Sequence, residues 1–235
     1  MKKLTESISL ILPAYNEEKL IESCLARCIE TLSLDFEDFE IIVVDDGSTD
    51  KTAVIAGEFS RNDNRVKIVY NIVNLNVGIS VQRGISSATK DFVIHNAADL
   101  ALAPEDISTL VPYLKDCDVL VLERKSYAGY TLWRLITSKV NRILLSLLFP
   151  FLTRGIRDLN FTQFYRRSIL PKIMPLAKSP SFTTPEMIIR ARHGHLRVKS
   201  ILVDYRPRTI GKGAFGKFYD ILWSLTDMLR FRIKL

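Results

Sequence analysis

Asp45 and Asp46 stand side by side where an apolar run stops. Residues 41–44 read Ile-Ile-Val-Val, and Gly47, Ser48, Thr49 and Asp50 follow the pair. A β-branched run closed by acidic and turn residues reads as a buried parallel strand ending at its carboxyl edge. Ligands of open α/β sheets bind in the crevice outside such edges. Two carboxylates there rarely serve packing, because a buried charge is costly unless it is paired or bonded. The pattern occurs twice more. Residues 7–12 form an apolar run that gives way to Pro13, Ala14, Tyr15, Asn16, Glu17 and Glu18. Residues 92–95 give way to Asn96, Ala97, Ala98 and Asp99. His95, beside the last of these, reads either as a ligand or as a satisfied histidine at a strand end.

These loops need elements to hold them together. The apolar periodicity predicts strands at 7–12, 40–44, 66–70, 91–95, 118–121 and 198–203. It predicts helices at 17–32, 50–61, 77–89, 104–114 and 132–148, and over the tail 215–235. Alternating strands and helices make a parallel sheet with helices on both faces, which gathers the strand-end loops on one edge. Asp50 or Thr49 can cap the second helix, and Pro104 suits the first turn of the fourth. Gly78, near the start of the third, reads either as a backbone facing a phosphate or as a simple turn.

The chain has 235 residues, enough for one large domain with a sizeable core. Hydrophobic residues make up 47% and charged residues 25%, which excludes a disordered chain. The net charge of +7 suits polyanionic partners, or simply a solvated basic surface. Nucleic acid is set aside, because the basic second half lacks the interleaved aromatics that stack bases. Cys24, Cys28 and Cys117 read as core thiols of a reducing compartment rather than a disulfide framework. The N-terminal stretch lacks the features of a secretory signal. Residues 143–152 form the longest apolar segment, well short of the ~20 residues that span a bilayer. The expected location is therefore cytoplasmic, peripheral at the membrane. Residues 215–235 place Phe218, Ile221, Leu222, Leu225, Met228 and Leu229 at helical spacing between basic ends. That reads equally as a helix docked on the domain and as an interfacial helix on anionic membrane.

The motifs LPAYNEE (12–18), EIIVVDDGSTD (40–50), DFVIHNAADL (91–100), EMIIRAR (186–192) and RTIG (208–211) share an order and spacing. Together they resemble the family-2 glycosyltransferases of the GT-A fold, near dolichol-phosphate mannose synthase and the polyprenyl-phosphate glycosyltransferases. The resemblance covers nearly the whole chain. It implies an α/β fold with a Rossmann-like, mostly parallel sheet and a basic, helical acceptor region toward the C-terminus. Residues 1–120 would bind the nucleotide sugar and 121–214 the acceptor, with 215–235 an amphipathic helix, all in one domain.

The resemblance implies an inverting transferase that moves a sugar from a GDP- or UDP-sugar to a polyprenyl phosphate or another membrane-linked acceptor, a step of envelope glycan synthesis. Pro13, Ala14, Tyr15, Glu17, Val44, Asp46, Ala97, Ala98 and Asp99 match the donor positions. Arg124, Arg134, Ser138 and Arg208 match acceptor and phosphate positions. Asp99 and Arg208 would carry the catalytic step, and Glu186 matches a glutamate that structures or orients. Guanidinium groups suit this work because the fork binds two phosphate oxygens at once.

Three positions depart from the family pattern. Its Asp-x-Asp metal motif, often followed by glutamine, falls on Ala97, Asp99 and Ala101. Mg²⁺ or Mn²⁺ can then bind only weakly, through Asp99 and donor phosphates. Arg208 or Lys212 could take the charge instead, or the chain could be a non-catalytic nucleotide-sugar-binding relative. The segment 158–164 lacks an expected glycine, and Ala214 stands where a lysine is expected.

Overall fold

Seven strands build the frame: β1 (Ile8–Ala14), β2 (Phe39–Asp45), β3 (Val66–Tyr70), β4 (Phe92–His95), β5 (Val119–Arg124), β6 (Gln163–Arg166) and β7 (Val198–Val203). They form one sheet in the order β3-β2-β1-β4-β6-β5-β7. All pairings are parallel except those of β6, which runs antiparallel between β4 and β5. The computed structural model describes residues 2–208 and 218–235.

Strand periodicity divides the core. Leu10, Leu12, Ile41 and Val43 face Ile21, Leu25 and Cys28 of helix α1 (Ile21–Asp35). The alternate residues Ile11, Ile42 and Val44 face the opposite side. There they meet Val81 and Ile85 of α3 (Val77–Ser87), and the cluster continues into Met187 and Ile188 of α7 (Thr183–His193). This is the consequence of side chains pointing to opposite faces of a strand. Cys24, Cys28 and Cys117 are free and buried, as expected of core thiols.

The elements read from sequence recur with instructive shifts. β1 runs through Pro13 to Ala14 rather than ending at 12. The last rung it shares with β4 is Ile11 with His95, so Pro13 lies beyond the end of that ladder. The N-cap of α2 (Thr52–Asn62) is Lys51, with no side-chain cap bond, and the Asp50 carboxylate just before it accepts from the Thr52 amide at 2.9 Å and hydroxyl at 2.5 Å. The helix expected at 104–114 splits into α4 (Pro104–Leu110) and a 3₁₀ turn over Val111–Lys115. Pro112 has no amide to continue the α pattern. The short α6 (Leu170–Ile173) follows β6.

Besides α6, two further elements, β6 and α7, carry no sequence expectation. β6 is four residues long and holds the buried polar Gln163, so it shows no hydrophobic run. α7 has Pro185 in its first turn and Arg190 and Arg192 in its last, which blur its periodicity. α5 (Leu132–Leu148) and α8 (Phe218–Lys234) match their expected ranges among the described residues and pack side by side. Phe149, Phe182 and Phe231 pin them to the body, with ring centroids 5.8–6.0 Å apart. No helix among the described residues is long and apolar enough to cross a membrane.

Candidate active site

The carboxyl edges of β2, β1 and β4 lie next to one another, and the chain stitches their loops together. Asn16, in the left-handed region at φ 54°, donates its amide to the Ser48 hydroxyl and accepts from the Thr49 amide. The Glu17 amide donates to the Thr52 hydroxyl at 2.7 Å, and the Glu18 amide to the Asp50 carboxylate at 3.2 Å. The loops after β1 and β2 are therefore one unit. Asn96 organises the loop after β4, bonding both the amide and the carbonyl of Leu102. Nothing in the sequence reading singled out Asn16 or Asn96. Their side chains replace backbone bonds in the turns, and asparagine's tolerance of positive φ is the signal that could have found Asn16.

The two carboxylates after β2 are both 3% exposed. Asp46 turns inward: one oxygen accepts from Asn71 Nδ2 at 2.7 Å and from the Leu75 amide at 2.9 Å. It thus holds the segment between β3 and α3. Gly47 allows that segment to lie close, since a Cβ there would sit 2.6 Å from the Val73 carbonyl carbon at an already positive φ of 71°. Asp45 accepts a long bond from the Ser48 amide at 3.4 Å, and its Oδ1 is buried without a partner. Asp46, expected beside the base, thus commits one oxygen to the fold. Tyr15 stands 40% exposed on the same edge, Val44 is buried, and Ala97 is open to solvent.

The segment after β7 crosses this edge. The Arg206 amide donates to the Ala101 carbonyl at 3.0 Å. Arg208 then donates to both oxygens of Glu17, at 2.8 and 2.5 Å, and its Nη1 lies 3.8 Å from Asp99 Oδ2. Residues 191 positions apart thereby meet. Burial raises the Asp99 carboxyl above its ordinary value, and the Arg208 and Arg134 charges pull it back. Asp99 Oδ1 is buried and unpartnered. That atom suits one bond to a cation or a hydroxyl. Ala97 and Ala101 add nothing to it, and no cluster of three histidine, cysteine or acidic residues could hold a metal among the described residues. Among the described residues the side chains do not make a protein-held metal site, and the Arg208 guanidinium lies 3.8 Å from Asp99. Thr209, Gly211, Lys212 and Ala214 lie outside the described residues.

Beside this edge, a cleft of about 160 Å³ runs along α5. Arg134, Ser138, Asn141 and Arg142 line it from the helix, facing Arg157 and Asn160. The sequence-predicted pair Arg134 and Ser138 is therefore brought together. Arg134 lies over the Tyr130 ring, 3.9 Å from its centroid. Arg124 lines the same cleft but is engaged within the fold. Its side chain is 7% exposed and locked to Asp158 by two bonds of 2.6 and 2.9 Å, with the third nitrogen on the Tyr130 hydroxyl. No fork is left over for a phosphate, so Arg124 shapes the wall instead. For Gly78 the structure favours the second of the two readings: its amide donates to Asn76, and a Cβ there would meet Thr183 Oγ1 at 2.5 Å. The glycine allows α3 to approach α7, rather than facing a phosphate. Glu186 is structural as expected, 1% exposed and bonded to the Leu176 and Ala177 amides and to Arg190. Burial pushes the His95 imidazole down to about 4, which fits a neutral ring inside the fold. A wider hollow of about 450 Å³ lies around Asp91 and Phe92, at the opposite end of β4 from these loops.

Comparison with known proteins gives the site a family. Glycosyltransferase AglD of Haloferax volcanii is 28% identical over 232 residues, which is 95% of this chain and 36% of that protein. An uncharacterized glycosyltransferase of Synechocystis is 34% identical over 138 residues, 58% of this chain and 43% of that one. The undecaprenyl-phosphate 4-deoxy-4-formamido-L-arabinose transferase of Proteus mirabilis is 28% identical over 94% of this chain and 67% of its own. The matches thus span less than half the length of the first two relatives. Among solved structures, glucosyl-3-phosphoglycerate synthase from Mycobacterium tuberculosis in complex with uridine-diphosphate superposes with a TM-score of 0.72 at 20% identity. The match covers 98% of this chain and 81% of that one, and it shows a shared fold. Residues 9–174 match the profile of glycosyl transferase family 2, so the chain belongs to that family and carries its α/β, GT-A-like domain.

Proposed function

We propose that the chain catalyses inverting transfer of a sugar from a nucleoside-diphosphate donor to a membrane-linked phosphate or glycan acceptor. The observation that carries this is the meeting of Glu17, Asp99 and Arg208 on the edge formed by the β1, β2 and β4 loops. The base and ribose would lie against Pro13, Ala14, Tyr15 and Val44, with Ala97 and Ala98 leaving room for the diphosphate. Asp99 would orient the sugar or its phosphate.

In this reading the acceptor oxygen attacks the anomeric carbon from the side opposite the leaving group. The new bond is carbon to acceptor oxygen, and the bond that breaks is carbon to phosphate oxygen. Charge then builds on the departing diphosphate. Arg208 is the cation at hand for it, exchanging Glu17 for phosphate oxygens. A phosphate acceptor is already an anion near neutral pH and needs no strong base. The site's task is alignment and neutralisation. No step requires a metal. The mycobacterial synthase also has a structure with Mn²⁺ and UDP, so Mn²⁺ or Mg²⁺ dependence is worth measuring.

Arg134 and Ser138 would hold the acceptor phosphate. The outer side of α5 exposes Leu132, Ile136, Ile143 and Leu147, with Phe151 just beyond and Lys139 and Arg154 among them. An apolar face with basic neighbours suits an anionic membrane surface. The undecaprenyl-phosphate relative supports a lipid phosphate as acceptor.

Transfer is tested with a panel of UDP- and GDP-sugars, with and without Mg²⁺ or Mn²⁺. Product or donor hydrolysis supports the reading. Nucleotide binding without turnover on any donor supports the second one, a non-catalytic nucleotide-sugar-binding relative, which the alanines at 97 and 101 favour. The membrane contact is tested with Ile136→Asp/Ile143→Asp, expected to release the chain from anionic vesicles without changing its melting temperature.

A further inference from the structure

The cleft along α5 holds more positive charge than one acceptor phosphate asks for. Four arginines line it, Arg124, Arg134, Arg142 and Arg157, against Asp158 and Asp220. Arg124 and Asp158 neutralise each other. Arg142 follows Arg134 by eight residues, about 12 Å along the helix, so the two mark different stations. Arg142 and Arg157 are exposed and make no ion pair among the described residues. α8 closes the cleft with Ser224, which is 2% exposed and whose hydroxyl has no partner. An unmet buried hydroxyl is unfavourable, and a ligand bonding it would relieve that cost.

We propose that this end of the cleft is a second anion site, taking a phosphoryl group between Arg142 and Arg157. It is separate from the Arg134–Ser138 station. It rests on the transferase reading only for its place beside the acceptor. Two guanidinium forks can each give paired, charge-assisted bonds to phosphate oxygens. Two sources present that chemistry. One is the headgroup of an anionic phospholipid, since the outer face of α5 is apolar and adjoins the cleft. The other is a soluble phosphate ester or the further phosphate of a diphosphate-linked acceptor.

The full chain is titrated calorimetrically with inorganic phosphate, and sedimented with phosphatidylcholine vesicles with and without phosphatidylglycerol. Arg142→Gln/Arg157→Gln is compared with wild type, with Ser224→Ala, and with the charge-matched Arg61→Gln/Arg83→Gln, two exposed arginines of α2 and α3 outside the cleft. Loss of the site is expected to weaken binding about tenfold in the first variant. Ser224→Ala is expected to weaken it less, and the charge-matched control hardly at all. A fall in the phosphatidylglycerol-dependent fraction identifies a lipid headgroup. A fall in phosphate affinity with vesicle binding intact identifies a soluble phosphate. Wild-type behaviour of Arg142→Gln/Arg157→Gln in both arms overturns the proposal, as does an equal fall in the charge-matched control. Thermal shift by UDP and GDP is read alongside: its absence counts against the donor site and leaves the anion site standing.

Discussion

The donor edge and the α5 cleft satisfy their polar groups in different ways. On the donor edge, loops after β1 and β2 bond each other, Asn96 bonds its own turn, and Arg208 is doubly bonded to Glu17. In the cleft, Arg142 and Arg157 make no ion pair among the described residues, and the Ser224 hydroxyl is unmet. The first region is preorganised by the chain itself, with Asp45 Oδ1 and Asp99 Oδ1 its buried oxygens left unpartnered. The second has charge in excess of its own needs. The difference teaches where to look for each substrate: a rigid cradle for a donor of fixed shape, and an open basic surface for an acceptor that arrives from elsewhere.

The largest test of this contrast is Arg208→Gln. If Arg208 neutralises the leaving diphosphate, transfer falls about 10²–10³-fold in kcat. Unchanged steady-state rates would show that the Glu17 pair is only a strap. Next is Asp158→Asn, which leaves Arg124 buried beside a neutral amide. A loss of roughly 3 kcal/mol in urea unfolding is expected, because one charge of a buried pair is stranded. A variant as stable as wild type would return Arg124 to the ligand-binding set.

A smaller effect concerns pH. The His95 ring, held down to about 4 by burial, binds its proton far less readily folded than at the ordinary 6.5. The neutral ring's contribution is complete above pH 6.5 and is lost as pH falls toward 4. His95→Asn should flatten that part of the stability profile, read by urea unfolding at pH 7 and pH 4. Smallest is Ala97→Asp, which rebuilds Asp-x-Asp with Asp99. It is expected to create a Mn²⁺-dependent gain in UDP or GDP affinity of up to about tenfold, read by thermal shift. No gain would mean that Arg208 occupies the cation's place even when ligands are supplied.

The sequence alone determined the strand-helix alternation, the three polar loops at strand ends, and the family. These are local: β-branched runs stop at turn residues, and the stop is written in consecutive positions. It also marked α5 and the Arg134–Ser138 spacing, because one helical turn is a fixed geometry. Only the tertiary structure decided which charges remain free. Asp46 and Asp99 look alike in sequence, yet one is bonded to Asn71 and Leu75 while the other keeps an unpartnered oxygen beside Arg208. Arg124 and Arg142 look alike too, yet Asp158 takes the first. β6 was invisible for the same reason: four residues with a buried glutamine make a strand only because β4 and β5 supply both neighbours. A charge's role depends on its partner, and partners far away in the chain are chosen by the fold.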